Sequence, residues 1–230
     1  MFTISNTDAA ARAVRRGLAD LSWVELEGGF REAEAAAPMQ CTGGPVWRRR
    51  KLAEYREFLA LCQISDGRLV PLRSDLGGPL ALAFQMRAPV PTLPDPAGDL
   101  VVRDRALLGL VYREEALREP QPGSSFVVIL APNNIYHPNV TPAEPGFGDF
   151  GPGQSLCLGA KFAPGSITVK ELILRSYAAL TLQSVQLDPG DSAGLFNPGA
   201  ARWWIANRQR MPLTTEGLIP RIQTPTAPQP

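Results

Sequence analysis

The sequence predicts an α+β fold, with a four-stranded antiparallel meander flanked by an N-terminal helix and C-terminal helices. Three observations carry it. Trp47 to Gln63 repeats apolar residues at helical spacing, Leu69 to Leu130 breaks into short apolar runs with turn-forming flanks, and a capped amphipathic helix opens at Thr168. Proline (23) and glycine (21) are frequent among the 230 residues, which fits short elements joined by irregular connections.

The elements follow in order. Asp8 is an N-cap for a helix over 8–21, and Phe30 to Ala37 continues helical until Pro38 stops it. Gly43-Gly44-Pro45 then marks a boundary, so residues 1–45 form a helical extension to a domain over 46–212. In the Trp47–Gln63 helix, Leu52, Tyr55, Phe58, Leu59 and Cys62 make the apolar face. Arg48, Arg49, Arg50 and Lys51 crowd its first turn, where the helix dipole disfavours cations. They read either as a solvated face or as a partner-binding patch.

Leu80–Met86, Leu107–Tyr112 and Phe126–Leu130 have strand length, while Pro89, Pro91, Pro94 and Pro96 fill one connection. Thr168-Val169-Lys170-Glu171 has capping-box form, with Val169, Leu172, Ile173, Tyr177 and Leu180 as the buried stripe. Ala200 to Arg208, with Trp203 and Trp204, forms a last short helix. Residues 213–230 are rich in proline and threonine and are expected to be a disordered tail.

Composition excludes several classes. Lys and Arg total 23 against 22 Asp and Glu, so no global field draws in nucleic acid or an anionic membrane. No apolar run reaches the roughly 20 residues a membrane-spanning helix needs, and the start lacks the order of a signal peptide. Cys41, Cys62 and Cys157 have no paired spacing, which argues against a disulfide framework or a zinc knuckle. The expectation is a cytoplasmic protein with free thiols, no metal and no cofactor.

Chemistry concentrates between Phe126 and Asp191. His137, the sole histidine, stands with Asn139 and Cys157 within 21 positions. A cysteine thiol is a competent nucleophile near neutral pH because even a small thiolate fraction is strongly nucleophilic. By itself Cys157 reads first as a small buried hydrophobe between Leu156 and Leu158.

The order of motifs goes further. Ile135-Tyr136-His137-Pro138-Asn139 is followed by Gly153 to Leu158, then Phe162-Ala163-Pro164, Thr168 and Asp188-Pro189. This order resembles the ubiquitin-conjugating enzyme (E2) family, clearly over Pro120 to Asp191 and loosely over Trp47 to Met211. The resemblance implies a ubiquitin-conjugating-enzyme-like fold and assigns roles. Cys157 would carry a ubiquitin-like modifier as a thioester received from an E1-like activating enzyme. The Asn139 amide would stabilise the oxyanion as an acceptor amine attacks. His137 would be mainly structural, holding its loop through backbone bonds. Asp191, with Ser192 beside it, falls where the family places a group that lowers the acceptor lysine's pKa. Phe162 and Pro164 lie in the loop after the cysteine, where Phe162 replaces the family's usual tryptophan. They and the basic patch Arg48, Arg49, Arg50 and Lys51 would contact partners.

One departure stands out. Cys157 lies 18 positions after Asn139, well beyond the family's usual interval. Residues 140–152 therefore look like an insertion, either gating the nucleophile or forming a plain surface loop. The loose match outside these motifs, with the alanine-, arginine- and proline-heavy composition, makes the resemblance one to a bacterial member of the family. Such proteins are encoded beside a ubiquitin-like protein, an activating enzyme and a deconjugating peptidase, in antiviral defence settings. Two other readings compete: a non-catalytic module of this fold that binds a modifier, and a cysteine hydrolase using His137 as base.

Overall fold

The computed structural model describes residues 41–93, 98–114, 126–142, 144–147, 151–158, 167–185, 187–188, 195–212 and 214–220. The expected helices over 8–21 and 30–37 lie outside them, as do Pro94, Pro96 and the end of the tail.

The fold is α+β. Helix α1 (Pro45–Ile64) is followed by β1 (Leu69–Asp75), β2 (Leu80–Thr92), β3 (Val101–Tyr112) and β4 (Val127–Ala131). After β4 come β5 (Glu144–Phe147), β6 (Gly151–Ser155), α2 (Val169–Leu180) and α3 (Pro198–Ala206). The first four strands form the expected antiparallel meander, but the sheet does not stop there. Its order is β1-β2-β3-β4-β6-β5, so the stretch read as an insertion supplies β5 and the start of β6, which continues into the Gly153–Leu158 motif.

Period-two burial builds the core. Leu80, Leu82, Phe84 and Met86 face Tyr112, Leu110, Leu108 and Ala106 across the β2–β3 ladder, and all eight are buried. α1 and α2 pack on the sheet and on each other, with Phe58 of α1 tilted against Phe84 at 5.7 Å between ring centres. Each of these aromatics, fully buried, contributes on the order of 2–3 kcal/mol relative to exposure.

Pro89 and Pro91 belong to β2, not to a connection. The register of β2 against β3 shifts between Arg87 and Val90, and this bulge tolerates Pro89, which has no N–H to donate, while Pro91 lies beyond it opposite Val102. The α1 core face is also rotated from the expected one. It runs through Trp47, Lys51, Glu54, Tyr55, Phe58 and Leu61, leaving Leu52, Leu59 and Cys62 only partly buried. Burial pushes the Cys62 thiol up to about 12, so this cysteine stays protonated.

Thr168 caps α2, its hydroxyl accepting the Glu171 amide at 3.0 Å. The Glu171 carboxylate turns to Arg175 instead of completing the box. A second cap comes from α1: Glu54 Oε2 accepts the Val169 amide at 2.7 Å, placing a carboxylate at the positive end of α2. Residues 214–219, expected in the tail, lie against the domain. Leu218 is buried, Arg68 pairs with Glu216, and the Tyr177 hydroxyl donates to the Glu216 carbonyl. At the other end, Cys41 packs against the core and Thr42 donates to the Leu76 carbonyl.

Candidate active site

After β4 and the cis Ala131–Pro132 bond, the chain crosses to a tight turn over His137-Pro138-Asn139-Val140. Proline in the second position of a β-turn has its φ preset, and the Val140 amide closes the turn onto the His137 carbonyl at 3.1 Å. The histidine side chain closes it again, because Nδ1 accepts the Asn139 amide at 3.0 Å.

His137 is fully buried. Burial drives its pKa down to about 4, and the Ala179 backbone offsets only part of this. An accepting Nδ1 puts the proton on Nε2, so the ring is neutral with its other side toward α2. Nε2 itself is buried and makes no well-formed hydrogen bond.

The turn is pinned from three sides. Its Pro138 carbonyl accepts the amides of Phe196 and Asn197, both at 2.9 Å. Just before it, the Tyr136 amide donates to the Pro91 carbonyl and the Tyr136 carbonyl accepts from Trp204 Nε1 at 3.0 Å. Trp203 meets the Tyr136 ring edge-on, and Arg210 lies over Trp203.

The third side carries Cys157. Its amide donates to the Asn139 carbonyl at 2.8 Å, Val140 and Leu156 form an antiparallel bridge, and the Thr141 amide donates to the Ser155 carbonyl at 3.0 Å. The intervening residues leave and return as the β5–β6 hairpin, so their number does not separate the two ends. β6 meanwhile pairs with β4, and a Cβ on Gly153 would sit 2.5 Å from Val128 Cγ2. Only glycine lets β6 lie that close. Cys157 emerges half-buried, and Asn139 is 8% exposed.

The structure thus brings together Cys157, Asn139 and His137. Asp191, Phe162 and Pro164 lie outside the described residues. The basic patch divides. Arg48 and Arg49 are exposed, whereas Lys51 is 0% exposed, its ammonium donating to the carbonyls of Leu76 (2.5 Å) and Gly78 (2.7 Å). Arg50 pairs with Glu54 at 2.7 Å and bonds the Tyr112 hydroxyl and the Ile167 carbonyl. Burial opposes its charge, but Tyr112 and Glu54 more than offset this and its pKa is raised. Tyr112 is itself raised, by burial first and then by Glu54. Two of the four cations expected to meet partners therefore hold the fold instead.

Sequence reasoning missed Gln154, Thr141 and Trp204. Gln154 stood inside the quoted Gly153–Leu158 motif, and its signal was a lone long amide among small and apolar neighbours. Among the described residues no cluster of three or more potential ligands could hold a metal ion, and no helix is long and apolar enough to cross a membrane.

No family model, curated protein or solved structure matches this chain.

Proposed function

We propose that this chain is a ubiquitin-conjugating-type transferase. It accepts a ubiquitin-like protein from an activating enzyme as a thioester on Cys157 and passes it to an acceptor amine. One observation supports this above the rest: the Cys157–Asn139 backbone bond holds these two residues adjacent across an 18-position interval.

In the first step the Cys157 thiolate attacks the activating enzyme's thioester; a new C–S bond forms and the enzyme's thiolate leaves. ATP is consumed earlier, at the activating enzyme. In the second step an acceptor amine attacks the carbonyl carbon, the oxyanion is met by the Asn139 amide, the Cys157 thiolate departs, and the amine proton passes to solvent. Asp191 is the candidate for lowering the acceptor's pKa. Arg48, Arg49, Phe162 and Pro164 are the candidate partner contacts. The working context is a bacterial cytoplasm, with a deconjugating peptidase as counterpart and antiviral defence as the setting.

The buried, neutral His137, whose Nδ1 is taken by the Asn139 amide, counts against a cysteine hydrolase that needs it as base. The test is charging with the host's activating enzyme, its ubiquitin-like protein and ATP. A thiol-sensitive adduct on Cys157 supports the reading. An unmodified protein under conditions where the activating enzyme is itself charged overturns it, and modifier binding without an adduct selects the non-catalytic module.

A further inference from the structure

We propose that Gln154 is a positioning residue, whose side-chain amide locks the turn carrying Asn139 against the strand that leads into Cys157. The inference rests on the transfer reaction proposed above and adds a residue to it.

Gln154 is 2% exposed, three positions before Cys157 on β6. Its Oε1 accepts the Ile135 amide at 2.8 Å, and Nε2 donates to the Ile135 carbonyl at 3.1 Å and the Thr141 carbonyl at 2.8 Å. Both amide hydrogens and the acceptor are used. A flipped amide would oppose like with like, so the network fixes its orientation. Ile135 lies two residues before the 137–140 turn and Thr141 directly follows it, so one side chain grips both flanks.

On the downstream flank the backbone helps. Thr141 and Ser155 exchange bonds through the Thr141 amide and hydroxyl. On the upstream flank the tie to β6 is the Gln154 amide, laid along Ile135 as a strand would be. Ile135 also bridges Thr92 of β2, so the clamp joins the turn, the nucleophile strand and the sheet. Removing it takes the partner from the buried amide and carbonyl of Ile135 and from the part-buried carbonyl of Thr141, and the turn must move to find others. Transfer depends on where Asn139 stands, and an ångström-scale misplacement of a catalytic group costs up to about a hundredfold.

The experiment uses the full chain and a short glycine-terminated peptide as its mercaptoethanesulfonate thioester. Exchange onto Cys157 releases mercaptoethanesulfonate, and free lysine then serves as the acceptor. Wild type, Gln154→Leu and Gln154→Glu are compared, with Ser176→Ala as the control that loses a buried hydrogen bond in α2. Gln154→Glu keeps the shape but replaces both donors with a carboxylate facing two carbonyls, and is read alone if the leucine variant fails to fold.

Adduct formation is expected to stay near wild type in both variants, while discharge to lysine falls by roughly ten- to a hundredfold. In an Asn139→Ala background the same substitution is expected to cost little more, because the effect runs through Asn139. Wild-type discharge, or an equal loss with and without Asn139, overturns the inference. If wild type itself discharges no faster than a free cysteine thioester, the transfer reaction falls. The side-chain amide signal of Asn139 in the nuclear magnetic resonance spectrum then decides for Gln154: shifted or broadened in the variants it supports the clamp, unchanged it overturns it.

Discussion

The Cys157 amide donates to the Asn139 carbonyl at 2.8 Å, and the next rungs, Val140 with Leu156 and Thr141 with Ser155, continue the same antiparallel register. Gly153 and Gln154 belong to the ladder that holds the pair, whereas residues 142–152 are outside it. Their length is free to vary because a longer hairpin lengthens away from its closed end.

Replacing residues 144–152 with Asn-Gly, the two-residue turn suited to a hairpin, should preserve the fold and the charging of Cys157. Thermal melting and adduct formation check this. Loss of charging with an unchanged melt would show instead that the hairpin itself contacts the modifier or its donor.

The second prediction concerns acid. His137 has a folded-state pKa near 4 against 6.5 when exposed, because burial disfavours the imidazolium. Between these values the unfolded chain binds more protons, so stability rises with pH across the window. The His137 contribution is fully present above about pH 6.5 and is lost as pH falls toward 4, amounting to about 3 kcal/mol. His137→Asn keeps an acceptor near the Nδ1 position and cannot ionise. Its denaturation midpoint should be flatter than wild type from pH 6.5 to 4, and parallel slopes would remove His137 as the cause.

Much of this architecture was legible locally. Thr168 with Glu171 announces a helix start within four residues, and the period-two runs of β2 and β3 announce a face. What stayed illegible depends on partners far along the chain. Lys51 and Glu54 look like surface charges on α1, yet one is bound by carbonyls in the β1–β2 connection and the other caps α2. Glu144-Pro145-Gly146-Phe147 has poor strand propensity and pairs because the flanking Val140–Leu156 bridge brings it back. Gln154 acts through residues 13 and 19 positions away, which no local pattern encodes.

The divided basic patch gives the third prediction. Reversing Arg48 and Arg49 to Glu should slow charging, more at low salt than at high, with little change in stability. Lys51→Met should act oppositely: charging per folded molecule is kept, but stability falls by about 1–3 kcal/mol because the buried Leu76 carbonyl and the part-buried bond to the Gly78 carbonyl lose their donor. Urea titration and charging rates measured on all three proteins separate the two roles. Equal stability loss in both variants would refute the division.

The fourth prediction separates Cys157 from the other thiols. Cys157→Ser should give a thiol-resistant oxyester or no adduct, since a hydroxyl is far less nucleophilic than a thiolate. Cys62 is held protonated by its burial, so Cys62→Ser should charge normally, and so should Cys41→Ser. Mass spectrometry of the adduct with and without thiol reads the result, and a thiol-sensitive adduct persisting without Cys157 would move the nucleophile elsewhere.

The last prediction divides Asn139 from His137. The Asn139 backbone carbonyl anchors Cys157, and in the proposed reaction its side-chain amide meets the oxyanion. Asn139→Ala keeps the first and deletes the second. Charging should remain nearly intact, because that step is driven at the activating enzyme, whereas discharge to an amine should fall by roughly 10²–10³, the cost of one oxyanion donor. His137→Asn should do the reverse, leaving discharge close to wild type per folded molecule, since its ring accepts a backbone amide and moves no proton. The pH profile of discharge supplies the independent check. A group needed as base would impose a limb at its own pKa, so a His137 base would place one near 4, where the buried ring titrates. The profile should lack that limb and rise instead with deprotonation of the acceptor amine. A limb near 4 that vanishes in His137→Asn, together with lost discharge, would transfer the catalytic role from Asn139 to His137.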